Sequence, residues 1–446
     1  MSVSQVKYRS IGFGRSAIWV PRIRRYVSKC VRCIAVLPLL PFALLLRVVL
    51  KILKPIVHIR FGRLWSPRLG TFSFHIELYL CEKDAGIEPD NSIDIFYHYD
   101  RDRYMLQNPV KPKDAVCNRQ LDIMWRRTLH VREFARALYN LNCMLPRGSE
   151  DFIASRATPI YDKHDLLKRF PAHLSFTKAE EEKGLQALLE LGLKPGVPFI
   201  CFHARDSAYL DRSRPRNVEL YGDWSHQDLR DATIDNYIPA ATRLAGLGYY
   251  AIRMGKFVRY PLHCDDRRII DYASRFQSDF MDVFLAAKCV FFIGQNSGMT
   301  ALPMTFRRPL VYVNVFPLSE IASCSYDDGI FIPKVFYSSK KKRLLTFREI
   351  LDLGIGHFDI KNSGHVEVFR ELGLELRENS PEEITETALE MHLRLHSEFS
   401  LSEEDQELQG LFSSIVRTYS DVIPLENNRT ATIGTRFLKT HRELLE

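Results

Sequence analysis

A chain of 446 residues exceeds what one hydrophobic core supports, since cores rarely grow past about 250 to 300 residues, so two domains and a shorter extra segment are expected. Hydrophobic residues at 46% and charged residues at 26% exclude disordered and fibrous classes. The net charge of +8 is uneven, because the first 60 residues carry many Arg and Lys and no Asp or Glu. A basic arm beside apolar sequence suits anionic lipid headgroups and argues against nucleic acid, whose binders spread cations over a folded face. Nine cysteines without regular spacing exclude a disulfide framework, and Cys30 and Cys33, the only C-x-x-C, lack the second pair a zinc tetrad needs.

Arg15, Arg22, Arg24, Arg25, Lys29 and Arg32 precede an uncharged run of 14 residues, Cys33 to Leu46, that is shorter than the roughly 20 a spanning helix needs. Pro38 and Pro41 lie inside it, and Arg47, Lys51 and Lys54 follow. No small-residue cleavage site follows Leu46, and neither flank is favoured in charge. Residues 1–54 are therefore expected to form a monotopic or re-entrant anchor, touching the membrane through residues 15–54 at the cytoplasmic face of a bacterial inner membrane. The competing reading is a buried hairpin.

From Pro55 the pattern becomes α/β. The β-branched run Ile56–Phe61 predicts a strand, Phe72–Cys81 a helix and Ile93–His98 a second strand, and Leu121–Leu141 is helix-compatible. Thr177-Lys178-Ala179-Glu180 reads as a capping box opening a helix that stops at Gly192. Strands are then predicted at Pro198–His203, Tyr249–Met254, Val290–Ile293 and Leu310–Asn314, with helices over Asp235–Leu247 and Phe280–Ala287 between them. This alternation marks a doubly wound parallel sheet. Ser380-Pro381-Glu382-Glu383 starts a further helix. The division expected is 1–54 anchor, 55–175 N-terminal Rossmann-like domain, 176–400 C-terminal Rossmann-like domain and 401–446 tail; Asn428-Arg429-Thr430 matches a glycosylation sequon that a cytosolic chain would not use.

Ligands of parallel sheets bind at the carboxyl ends of strands. Three such ends carry polar residues here: His203, Arg205 and Asp206 after one strand, Arg253 and Gly255 after the next, and Gly294, Asn296, Ser297 and Gly298 after the third. A Gly-x-Asn-Ser-Gly turn before an apolar helix offers backbone N–H groups to a diphosphate, and arginine's planar fork suits the same oxygens. Taken singly, each Gly also reads as a turn and each Arg as a surface ion pair. Asp279 and Asp282 open a helix, as caps or as hydroxyl ligands of a ribose or sugar. Asp100-Arg101-Asp102 is a weak metal-ligand pattern with no second acid cluster, so no metal or cofactor is expected.

Four segments, Phe202–Asp206, Arg230–Ala240, Ile252–Gly255 and Phe292–Gly298, together with Ile59–Leu64, Glu77–Leu80 and Pro309–Val311, resemble a family of bacterial glycosyltransferases. The resemblance implies a GT-B arrangement of two Rossmann-like domains, the nucleotide-sugar donor in the C-terminal one and the acceptor, a glycan or lipid-linked glycan of surface polysaccharide synthesis, in the other. The His-x-Arg element is also similar to that of fucosyltransferases, which makes Arg205 the residue for the donor diphosphate. The family's pattern has a His after the Gly of the first loop, where this chain has Thr71 after Gly70, so the catalytic base is open among Glu77, His75 and Asp206. Two alternatives remain: a non-catalytic nucleotide-sugar or glycan-binding protein, and a nucleotide-sugar hydrolase or epimerase. A dehydrogenase is disfavoured because no G-x-G-x-x-G follows a strand.

Overall fold

The computed structural model describes residues 40–89, 91–98, 116–143, 162, 164–213, 225–324, 329–356, 365–421, 423 and 432–446. The expectations for residues 15–39, including Cys30 and Cys33, for Asp100–Asp102 and for Asn428–Thr430 lie outside the described residues. The described parts of 1–61, 91–95 and 132–153 form one compact unit, and those of 62–90, 96–131 and 154–446 a second.

The first part of the chain runs through α1 (Leu40–Leu53), β1 (His58–Leu64), a π turn over Thr71–His75 that continues into α2 (Ile76–Asp84), β2 (Ser92–His98), α3 (Arg119–Thr128), β3 (His130–Val131) and α4 (Phe134–Cys143). The strands lie in one sheet in the order β1-β2-β3. A single helix over Leu121–Leu141 does not form, because Leu129 turns extended at φ −116° and ψ 151° and hands the chain to β3. Next comes α5 (Lys178–Glu190), opened by the Thr177–Glu180 capping box as its sequence requires.

The larger sheet begins with β4 (Phe199–Phe202), followed by α6 (Ile238–Gly246), β5 (Tyr250–Arg253), β6 (Ile269–Ile270), α7 (Asp279–Lys288), β7 (Phe292–Gly294), β8 (Leu310–Val315) and β9 (Ile330–Pro333). β10 (Val335–Ser338), β11 (Arg343–Leu344) and β12 (Leu374–Arg377) make a small antiparallel sheet. α8 (Pro381–Leu395), α9 (Glu403–Thr418) and β13 (Thr432–Ile433) complete the elements used below. The seven-stranded sheet has the order β13-β9-β8-β7-β4-β5-β6, and every pairing in it is parallel. All four residues of β4, all four of β5 and all six of β8 are buried, as strands covered on both faces must be. The described residues of 401–446, expected as a tail, pack onto the fold: β13 pairs with β9, Thr432 opposite Ile330, and α9 buries Leu408, Phe412 and Ile415.

The sheet runs outward in both directions from the β4–β7 boundary, first β4-β5-β6 and then β7-β8-β9, which makes that boundary a topological switch point. Residues 62–90 and 96–131 belong to the same compact unit as this sheet, a grouping that differs from the expected division at 175/176. The physical ties are visible. Gly70 and Gly298 meet backbone to backbone: a Cβ on Gly70 would lie 3.3 Å from Gly298 Cα, and one on Gly298 would lie 3.1 Å from the Gly70 nitrogen. The Trp125 indole N–H donates to the Phe72 carbonyl at 2.7 Å, and Asn118, the N-cap of α3, donates to the Asp279 carbonyl at 2.9 Å. Arg127 adds a bidentate pair to Glu180, 3.0 Å to each oxygen.

Gly184 on α5 is buried against α7, where a Cβ would fall 2.1 Å from the Phe284 ring. Gly184→Ala is expected to destabilise the fold by about 1–3 kcal/mol through overpacking, read by urea denaturation. An unchanged midpoint would contradict this packing of α5 on α7.

Candidate functional site

The switch point collects the chemistry. β4 ends at Phe202 and β7 at Gly294, and their loops are stitched together by the Arg205 N–H donating to Gln295 Oε1 at 2.6 Å. Gln295 Nε2 in turn donates to the Arg230 carbonyl at 2.9 Å, and the Arg230 guanidinium donates to the Asn296 carbonyl. The Arg205 guanidinium donates to the Gln227 carbonyl at 2.7 Å and to the Asp231 carboxylate. Buried Lys334, just past β9, donates to the Leu229 and Asp231 carbonyls at 3.1 and 2.6 Å.

Three cations therefore crowd one sheet edge. Burial and the neighbouring Arg230 both lower the pKa of Arg205, so its charge is held at a cost. Asp231 is pushed up to about 6, chiefly by burial, with Asp228 and Asp206 adding and Arg205 opposing. Among the described residues neither the Asn296 nor the Gly298 amide N–H has a hydrogen-bond partner, whereas the Ser297 N–H is taken by Thr300 Oγ1 at 3.1 Å. Half-buried Asn296, Ser297 and Gly298 thus present two amides beside two guanidinium groups, a combination that accepts an anion with several oxygens. Gly294 is needed for closeness, since a Cβ there would sit 2.8 Å from Thr300 Cγ2 and 3.4 Å from the His203 carbonyl.

Other expected site residues are occupied in holding the loops. Arg253, only 2% exposed, donates to the Tyr260 carbonyl at 2.8 Å and to Asp271 at 3.4 Å. It braces the loop after β5 and does not reach outward as a phosphate ligand, because its charge is spent on a buried carboxylate. His203 Nδ1 lies 3.0 Å from the Met254 carbonyl, and burial pulls its pKa down to about 4. The ring is neutral, so it offers a hydrogen bond and no charge. Gly255 lets the same turn close, with Val258 Cγ1 2.9 Å from where a Cβ would stand. Asp206 accepts from the Ala208 and Arg259 amides at 2.9 and 3.0 Å, which fixes the loop after β4.

Asp279 and Asp282 act as structural acids. Asp279 accepts from Lys256 at 2.9 Å and from the Arg119 amide at 2.8 Å, joining two helix N-termini. Asp282 is buried, accepts from the Tyr272 hydroxyl at 2.9 Å and Gln277 at 2.7 Å, and is raised to about 7 by burial against those bonds. Both are committed within the protein, so contacts to a ribose or sugar hydroxyl are not what the geometry displays.

Glu77 is fully buried and receives Arg307 at 2.6 Å and His173 Nδ1 at 3.1 Å. Arg60 on β1 pairs with Asp94 at 2.8 Å. Glu77, Cys81 and His173 place ligand atoms within 4.8 Å of one another, a spacing that could hold a metal ion. The Arg307 guanidinium donates into that same set, to Glu77 and, at 3.3 Å, to Cys81 Sγ, so a cation would have to displace it. His75 lies on the π turn, half-buried. Thr71 turns its hydroxyl inward to the Trp65 and Arg68 carbonyls at 3.0 and 2.9 Å.

Sequence reasoning passed over Arg230 and Lys334 as site residues, and also a pair at the end of β2, where Nε2 of buried His98 lies 2.6 Å from half-buried Asp122. Burial would raise Asp122, but hydrogen bonds from His98 and Arg126 outweigh it and hold the carboxyl below its ordinary value. Arg230 stands only 25 residues from Arg205 in sequence, yet nothing in local periodicity shows that its loop folds back over the sheet edge.

No family model matches the chain, and no curated protein matches it in sequence. Among solved structures it is similar to the ADP-heptose LPS heptosyltransferase II of E. coli, at 14% identity and TM-score 0.34, covering 61% of this chain and 90% of that one. A glycosyl transferase family 9 protein from Veillonella parvula DSM 2008 gives 10% identity and TM-score 0.34, with 58% and 80% covered. The dodecameric iron-containing heptosyltransferase TibC, in complex with ADP-D-beta-D-heptose, gives 12% identity and TM-score 0.29, with 76% and 77% covered. At such scores the likeness carries no functional argument.

His173 lies between Glu77 and Asp84, and although burial opposes its charge, Cys81 and Glu77 raise its pKa to about 10. A raised pKa contributes stability that is complete below the ordinary His value and is lost as pH climbs through about 10. The melting temperature is expected to fall more steeply from pH 7 to the alkaline end in the wild type than in His173→Gln; parallel profiles would refute it. Arg307→Met leaves the buried Glu77 charge without its main partner and is expected to cost about 3–5 kcal/mol in denaturant unfolding.

Proposed function

We propose that the chain is a glycosyltransferase that moves a sugar from a nucleotide-sugar donor to a glycan or lipid-linked acceptor, with the donor diphosphate at the β4–β7 switch point. The observation that supports it is the grouping of Arg205 and Arg230 with the Asn296 and Gly298 amides at that edge. Departure of a nucleoside diphosphate leaves new negative charge on the β-phosphate, and preorganised donors aimed there lower the barrier without requiring a metal. The diphosphate also relieves the mutual repulsion of the two guanidinium groups, so binding energy is stored where the leaving group forms. On this reading the N-terminal domain expected over residues 55–175 supplies the acceptor side, in a two-domain GT-B manner.

The acceptor hydroxyl needs a base or a loose transition state. Glu77 and Asp206 are both consumed by structural bonds, which is the specific observation favouring the non-catalytic binding alternative. The His98–Asp122 pair, an imidazole oriented by a carboxylate at a strand's carboxyl end, has the chemistry of a base once its Nδ1 is released from the Arg126 guanidinium 3.4 Å away, and it keeps the enzyme reading ahead.

A thermal-shift screen against UDP-, GDP-, ADP- and CMP-sugars is expected to raise the melting temperature with one nucleotide class. Arg205→Ala is expected to abolish that shift and lower turnover by roughly a hundredfold or more. Near wild-type turnover in this variant would overturn the assignment. His98→Gln should lower kcat while leaving donor binding unchanged; donor binding with no turnover in the wild type, with any acceptor or with water, would instead favour the binding protein.

A further inference from the structure

We infer that α1 is an in-plane anchor that lies on an anionic bilayer surface. Its sequence places Phe42, Leu45, Val49, Ile52 and, just beyond its end, Ile56 at intervals of three and four, one stripe along the helix. In the structure these side chains face outward, from 42% exposed at Val49 to 78% at Ile56, whereas Leu50 on another side is buried. An uncovered apolar stripe of this length is not left to water without a partner. α1 packs on α4 within its own compact unit, and Phe134 at the start of α4 is itself 60% exposed.

Charge decides which partner. The first 60 residues hold twelve Lys or Arg and no acid, and Arg47, Lys51 and Lys54 border the apolar stripe. A second copy of the chain would bring these cations against their own counterparts, with no acid in the segment to receive them. Lipid phosphates receive them directly, with the apolar side chains in the acyl boundary and the Lys stems reaching up to the headgroups. Charge also decides the orientation. Arg47, Lys51 and, just past its end, Lys54 recur along α1 at intervals of three or four, which a helix crossing the hydrocarbon core would not carry, and no described helix is long and apolar enough to cross a membrane. The helix therefore lies along the surface. This inference is independent of the transfer reaction.

The test is co-sedimentation of the full chain with vesicles of phosphatidylcholine alone and with about one-third phosphatidylglycerol added. Strong binding to the anionic vesicles and weak binding to the neutral ones is expected. The double variants Leu45→Asp/Ile52→Asp and Lys51→Glu/Lys54→Glu should each weaken binding by about tenfold or more, at an unchanged melting temperature because every changed position is exposed. Failure of the wild type to bind, or equal binding by the apolar variant, would overturn the inference. So would a dimer in light scattering that Leu45→Asp/Ile52→Asp dissociates, since the stripe would then belong to a second copy.

Discussion

Like charge held at close quarters is the constraint around which the C-terminal sheet is organised. Arg205 and Arg230 face the same sheet edge with Lys334 nearby, and burial lowers the pKa of Arg205. Such an arrangement is unfavourable unless carboxylates or a ligand compensate it. In the structure Asp231 and a ring of backbone carbonyls compensate it. Burial, with Asp228 and Asp206, raises Asp231 to about 6 against the opposing pull of Arg205, so this carboxylate stays mostly ionised at neutral pH and a polyvalent anion would compete with it for Arg205.

Around that edge, a second tier of charged residues fixes geometry. Arg253 with Asp271, Asp206 with two amides, Asp282 with Tyr272 and Gln277, and Asp279 with Lys256 each freeze one loop or helix end. Glu77, Arg307 and His173 do the same where the helix after the first loop meets the segment around residue 170. Because Gly70 and Gly298 touch through their backbones, any shift of the first loop is felt at the Asn296 and Gly298 amides. Rigid support of this kind is what places donors before a ligand arrives.

The alternating strands and helices from 198 to 314, the capping box at Thr177, the helix start at Ser380, and the strand-end position of Arg205 were legible, because local periodicity and caps act over a few residues. What could not be read depended on distant partners. Arg253 looks like a phosphate ligand until Asp271 is found beside it, and Asp279 and Asp282 look like ligands until Lys256 and Tyr272 are. β13 has two residues, too few for any alternation to show, and its place in the sheet comes only from pairing with Ile330 and Phe331. His98 and Asp122 are 24 residues apart and meet only when α3 packs beside β2.

The central claim is that a diphosphate sits at the β4–β7 boundary, and a crystal structure of the full chain with a nucleoside diphosphate tests it most directly. Phosphate oxygens within hydrogen-bond reach of the Asn296 and Gly298 amides, with Arg205 turned from Asp231 toward them, is the result this account requires. A diphosphate bound at any other strand end, with the Arg205–Asp231 pair intact, would contradict it.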